Sequence, residues 1–266
     1  MWHLLQRHPI PIAAHFEFSL VLTYAYPRAL LEPLLPPGLE LDCYEDLGFL
    51  AIALVATREL RPVGLPRWMG KRFFLSGYRV FTRFTTREGR RLRGLRILRS
   101  DTDARLMAFF GNLLTHYQYE HATVRWERGA DFQSAAACRT NRPADVLLTV
   151  AIRTPAGAAD LEVSADLRSR PAPLPPGSPF PDERTARRFA GPLPFTFDYE
   201  PETHSIIRIE GVRQNWHPEP IAVEVRRASF LERPPFDRAE PRLANAFYLE
   251  DVPYRWNRGI REPLGR

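Results

Sequence analysis

The sequence holds one lysine. Of 37 basic residues, Lys71 is the only one that is not arginine. Chemistry that needs a side-chain amine therefore has Lys71 or nothing. Cysteine is almost as scarce: Cys43 and Cys138 make no disulfide framework and no CxxC, which fits a reducing cytoplasm. The longest apolar run, Phe49 to Ala56, is far shorter than the ~18 residues a spanning helix needs, so no membrane association is expected. The N-terminal MWHLLQRHPIPIAAHFEF has no long apolar core or cleavage site of a signal peptide. P-loop, G-x-G-x-x-G, H-E-x-x-H and G-x-S-x-G motifs are all missing. His116 and His121, five apart, fall on different helical faces and do not suggest a zinc pair. No metal and no cofactor are expected.

What is present describes a globular protein. Its 266 residues are 44% hydrophobic and 12% aromatic, enough for a sizeable core. The formal charge is +6 and the isoelectric point about 9.7. The arginine bias, beside 26 prolines, looks like GC-rich bacterial coding. The basic residues are spread along the chain with acids between them, so no nucleic-acid partner is expected.

Strand and turn patterns dominate. Ala14–Tyr24 alternates, with Phe16, Phe18, Leu20, Leu22 and Tyr24 on one face and His15, Glu17, Ser19, Val21 and Thr23 on the other, as in a half-buried strand. Pro27 opens a short helix to Leu35, stopped by Pro36-Pro37-Gly38. Leu39–Tyr44 reads as a strand, and Gly48–Thr57, apolar on both faces, as a central one. After the loop Arg61–Gly70, where Trp68 either forms a mouth or covers the core, Phe73–Thr86 and Arg91–Arg99 form a hairpin. Thr123–Arg128, Phe132–Arg139, Val146–Thr154 and Asp160–Leu167 suggest a meander. Pro171–Pro181 reads as a surface loop within one domain, residues 1–266. Asp182 caps a helix ending at Gly191, and Phe195–Tyr199, Ser205–Val212, Ile221–Ser229 and Ala246–Leu249 complete the strands. The expected fold is α+β, mostly β: a closed or nearly closed antiparallel β-barrel with one main helix and a few short ones.

The centre of this pattern is Arg91–Ala122. Its strand puts Leu92, Gly94, Arg96 and Leu98 on one face and Arg93, Leu95, Ile97 and Arg99 on the other, so an arginine points inward whichever face is buried. Such an arginine needs a carboxylate or a ligand anion, and the spacing leaves both open. Leu106, Phe109, Phe110, Leu113, Leu114 and Tyr117 predict one buried helical face. Ser100 or Asp101 can cap the helix, and Ser100 with Asp103 gives the S-x-x-[DE] pattern, so both aspartates read first as capping residues; the alternative is one carboxylate facing a cavity beside the arginines. His15 reads as a surface or hydrogen-bonded residue. His217, in Asn215-Trp216-His217-Pro218, reads as a rim or a turn over a buried tryptophan.

The run YPRALLEPLLPPGLEL (Tyr26 to Leu41) resembles the opening of the acetoacetate decarboxylase-like superfamily, and within it the uncharacterised bacterial DUF2071 group. GFLAIALV, FFLSGYRVFTRF, LRILRSDTD and FDYEPETHSIIRIEGVRQNWHPEPIAVEV extend the resemblance over nearly the whole chain. The resemblance implies a cone-like barrel with a central cavity and, in the true decarboxylases, a Schiff-base lysine just after the main helix. Here the corresponding Leu114–Tyr119, LTHYQY, has no lysine. A Schiff base needs a primary amine of lowered pKa, and arginine cannot replace it. Decarboxylation is therefore not expected. The cavity is, with Arg96, His116, Tyr117, Tyr119 and Asp101 as candidate ligand-binding residues and a small organic anion as the ligand. The competing reading is an interaction protein with a filled barrel and an arginine-rich outer surface. Whether the chain is an enzyme stays open; lysine-free acid–base chemistry through His116 or a tyrosine is the form it would take.

Overall fold

The computed structural model describes residues 2–129 and 147–265. Cys138 and the expected strand Phe132–Arg139 lie outside them. The protein is mostly β, with three α-helices among the described residues.

One large sheet is built on four long strands. β1 (Ile12–Pro27) pairs antiparallel with β3 (Leu47–Pro62), which pairs with β4 (Lys71–Thr85), which pairs with β5 (Arg91–Thr102). On its other side β1 pairs with β14 (Arg242–Trp256). The sheet then bends round. β10 (Phe195–Glu200) meets β5 in parallel over only Phe195–Gly94 and Thr196–Leu95, and pairs antiparallel with β11 (Ser205–Arg213). β11 returns to β14 through Gly211–Trp256, Val212–Arg255 and Arg213–Tyr254. Pairings thus run through a ring of strands, unevenly, with long ladders on one side and short contacts at these two joints. β2 (Leu39–Leu41), β6 (Tyr119–His121), β12 (Glu219–Pro220) and β15 (Ile260–Pro263) add to its edges. A second sheet, in the order β13 (Val223–Ala228), β9 (Leu161–Asp166), β8 (Leu147–Arg153), β7 (Thr123–Gly129), covers the outer face of the first.

This layering corrects the reading of β1 as half-buried. Phe18, Leu20, Leu22 and Tyr24 pack against the second sheet, with Phe18 edge-on to Trp126 at 5.1 Å. The alternate face is buried too, because the sheet curls over it; Ser19, Val21 and Thr23 face inward rather than toward solvent. β3 is apolar on both faces and lies between β1 and β4, as expected.

The helices differ from expectation in instructive ways. α1 (Arg28–Leu31) is one turn, continued as a 3-10 turn through Leu34, with Pro27 at the cap position. α2 (Arg105–Leu114) is the longest helix described, but it starts later than the sequence suggests. Ser100 and Asp101 extend β5 instead of capping, while Asp103 accepts from the Phe74 backbone N–H at 2.8 Å. The predicted buried face is largely exposed: Leu106 at 73%, Phe109 at 64% and Phe110 at 51%. Position, not periodicity, decides this. α2 lies across the rim of the sheet and turns Met107, Gly111 and Leu114 inward, with Phe110 at the margin, lining a pocket but half exposed. Trp68, 83% exposed, does not cover the core. α3 (Glu183–Ala190) behaves as predicted, with Asp182 accepting from the Thr185 N–H at 2.7 Å.

The proline stretch packs on the large sheet: Phe180 stacks on Phe49 at 5.3 Å and Ser178 donates to the Ala244 carbonyl at 2.7 Å. We expect limited proteolysis to release no pair of stably folded halves, because cutting here would strip Phe180 from its sheet. Two such halves would show separable domains.

Candidate functional site

Eight strands, the turn after α2 and the segment 191–194 enclose a cavity of about 90 Å³ inside the curled sheet. At roughly 10–15 Å³ per water position, that is room for about half a dozen small atoms. Its walls are mostly apolar, from Val21, Ala51, Ala53, Val55, Phe81, Leu95, Ile97 and Phe247. Its polar groups are few, and their charges are all of one sign.

Arg79 enters from β4. Its side chain folds over Gly77, where a Cβ would sit 2.9 Å from Nε, so only glycine leaves this space. Arg79 Nε is buried with no hydrogen-bond partner, and no carboxylate lies within ion-pair distance of the side chain among the described residues. Arg213 enters from the end of β11. It donates weakly to the carbonyls of Leu193 (3.4 Å) and Pro192 (3.3 Å), and stacks on Trp216 at 4.3 Å. Burial lowers its pKa, and no described carboxylate offsets that. Tyr254 feels both guanidinium groups and Tyr119 feels Arg79. Burial nonetheless raises the pKa values of Tyr117, Tyr119 and Tyr254, so their hydroxyls stay protonated donors at neutral pH. The cavity therefore offers two cations and several hydroxyl donors. Its lining contains no Asp, Glu, His or Lys.

Tyr117 and Tyr119 reach the cavity through a local device. Gln118 between them has φ 52°, in the left-handed region, which turns the chain so that Tyr119 can open β6 beside β5. Gly111 lets the Tyr119 ring lie against α2, where a Cβ would sit 2.3 Å from the ring.

The other expected site residues lie elsewhere. Arg96 donates from Nη1 to Asp198 Oδ1 at 2.8 Å, and Asp198 is fully buried. Burial raises the Asp198 pKa, opposed by Arg96 and His116. Arg96 and His116 line a shallow outer depression, with Tyr119 as the wall shared with the cavity. Asp101 is buried and holds Arg99 at 2.7 Å and the Ser76 hydroxyl at 3.2 Å. The remaining β5 arginines are also paired: Arg93 with Asp42 at 2.5 Å and Arg91 with Glu40 at 3.3 Å. On this strand the carboxylate alternative holds throughout. His15 pairs with Asp251 at 2.6 Å, and Trp216 lines the cavity while His217 is exposed. Arg79, Arg213 and Tyr254 were not singled out from the sequence. Arg79 did leave a signal there, as a charge set within the apolar stretch Phe73, Leu75, Gly77, Phe81 of one strand face.

No group of three or more His, Cys, Asp or Glu that could hold a metal occurs among the described residues. None of the described helices is long and apolar enough to cross a membrane.

Three solved structures share this fold. An acetoacetate decarboxylase-like enzyme from Sphingomonas wittichii RW1 is 12% identical, with 97% of this chain and 94% of that one covered and a TM-score of 0.57. Acetoacetate decarboxylase from Legionella pneumophila is 12% identical, covering 94% and 86%, with a TM-score of 0.56. The enduracididine biosynthesis enzyme MppR, solved in complex with pyruvate, is 13% identical, covering 97% and 90%, with a TM-score of 0.54. At such identity the likeness is one of fold. No curated protein matches the sequence. The DUF2071 model, which describes an uncharacterized conserved protein, matches residues 14–252, and the chain belongs to that family.

Proposed function

We propose that the interior cavity binds a small organic anion, and that it does so without Schiff-base decarboxylation. In this reading the uneven ring of strands serves as a barrel wall, and residues 1–266 form one domain around it. The observation that carries the proposal is the pair Arg79 and Arg213, two guanidinium groups on one cavity with no carboxylate of their own among the described residues. A buried cation without an anion is costly, and a bound carboxylate or enolate supplies one. Tyr117, Tyr119 and Tyr254 add hydroxyl donors around it. The pyruvate bound by the structural neighbour MppR has this chemistry and this size.

The second half of the proposal rests on the missing amine. The chain's one lysine, Lys71, is exposed at the start of β4 and does not line the cavity. With cations and hydroxyl donors but no base lining the cavity, the residues suit stabilising negative charge on a bound carbonyl compound more than moving a proton. A purely surface-mediated role would leave the two inward charges unexplained.

Calorimetric titration with pyruvate and acetate tests the binding; no heat and no thermal shift from either would refute it. Borohydride reduction in the presence of labelled pyruvate or acetoacetate tests the chemistry. We expect no covalent adduct, and label on Lys71 would overturn the lysine-free reading.

A further inference from the structure

Beside the arginine cavity lies a second and much larger space. It measures about 430 Å³ and sits under α2, between that helix, the N-terminal segment and the end of β3. Its walls include Ile10, Ile12, Leu60, Met107, Phe110 and Leu114. Its few polar groups are neutral, with His8 Nδ1 and the Tyr117 hydroxyl buried and without a hydrogen-bond partner among the described residues. His8 is buried, and burial holds its pKa down to about 4, so it is neutral at physiological pH. The Thr115 hydroxyl is spent on the Gly111 carbonyl at 2.7 Å. No charged residue lines this pocket.

The two spaces share walls. Leu75, Tyr117, Tyr119 and Trp256 line both. For a molecule with its anionic end on Arg79 and Arg213, the adjoining apolar space is the pocket under α2, on the far side of these shared side chains. The dimensions agree: the arginine cavity has room for a head group only, while the neighbouring pocket is several times larger, mostly apolar and uncharged.

Resting on the anion-binding reading above, we propose that the ligand is an amphipathic monocarboxylate, with an acidic head on the two arginines and an unbranched or lightly branched hydrocarbon tail under α2. Phe110, 51% exposed and part of this wall, then borders the mouth through which such a tail enters. Each methylene moved from water into an apolar pocket is worth about a fourfold gain in affinity. Small keto acids fill the head cavity and leave the larger pocket empty, so the chain-length dependence distinguishes the two classes.

The test is calorimetric titration of the full chain with acetate, hexanoate, octanoate and decanoate below their micellar concentrations, with octanol as a neutral control. We expect affinity to climb about fourfold per added methylene until the pocket is full. Met107→Trp, and separately Leu60→Trp on the opposite wall, should flatten this series while leaving acetate binding unchanged. Thermal melts identify a variant that has lost its fold, and the other then decides. Acetate bound with no gain from longer chains overturns the tail proposal and leaves the anion reading intact. No acid bound at any length overturns both. Octanol bound as tightly as octanoate removes the head-group role and overturns the proposal.

Discussion

Arg79→Met is expected to lose anion binding without losing stability. Methionine keeps much of the length and removes the charge. A charge-assisted bond from guanidinium to carboxylate contributes roughly 1.5–3 kcal/mol, which is on the order of 10- to 150-fold in affinity. The stability side is what makes the substitution diagnostic. Arg79 Nε has no partner among the described residues, and no described carboxylate depends on it. Removing a half-buried charge with no ion-pair partner among the described residues strands no carboxylate and relieves part of a desolvation cost, so the melting temperature should hold or rise. Arg213 should be more forgiving, since Trp216 and two carbonyls already support it. Melts of wild type and Arg79→Met, each with and without pyruvate, measure both quantities. A fall of several degrees with the pyruvate response intact would assign Arg79 to the framework and remove the main support for the anion site.

Arg96→Met should do the opposite. It strips the partner from Asp198, a carboxylate with no exposure and with its Oδ2 lacking any hydrogen bond among the described residues. Breaking a buried pair by removing one member costs about 3–5 kcal/mol, which for a chain of this size lowers the melting temperature on the order of 10 °C. The loss should depend on pH in a defined direction. Burial already raises the Asp198 pKa against the pull of Arg96. Without Arg96 it rises further, so the folded state holds a proton that the unfolded chain releases at the ordinary carboxylate range. Stability of the variant then increases as pH falls through the folded-state pKa, and the deficit disappears below the unfolded one. Adding Asp198→Asn should restore much of the loss at neutral pH. A variant as stable as wild type, and equally indifferent to pH, would mean that this pair does not hold β5 to β10.

These two arginines mark how far the sequence could be read. Both lie on long strands, and both invite the same alternatives of ion pair or ligand. Local spacing says that an arginine on β5 faces inward, but its partner, Asp198, is on a strand about a hundred residues later. β10 meets β5 through only a short parallel contact, which leaves no local pattern. For Arg79 the deciding fact is that no carboxylate among the described residues approaches it, and a sequence cannot display the absence of a neighbour.

The tyrosine run was legible in part for the same reason. LTHYQY followed the main helix and carried the polar groups, and Tyr117 and Tyr119 do line the cavity. That His116 instead faces the outer depression follows from the turn at Gln118 and from which wall β6 joins. Capping at Asp182 was readable because it involves residues three apart. The exposure of α2 was not, because the periodicity of Leu106, Phe109 and Phe110 states that a face is apolar without stating what will lie against it. Likewise the alternation in β1 marked two faces, and only the curl of the sheet turned the more polar one, with Ser19 and Thr23, into an interior. By itself, then, the sequence determined the strand-rich class, the order of the long strands, the cap of α3 and the want of a placed lysine, all of which depend on residue type or near neighbours. The tertiary structure decided which arginines are neutralised and which face a cavity, because charge pairing across a curled sheet depends on contacts between residues far apart in the chain.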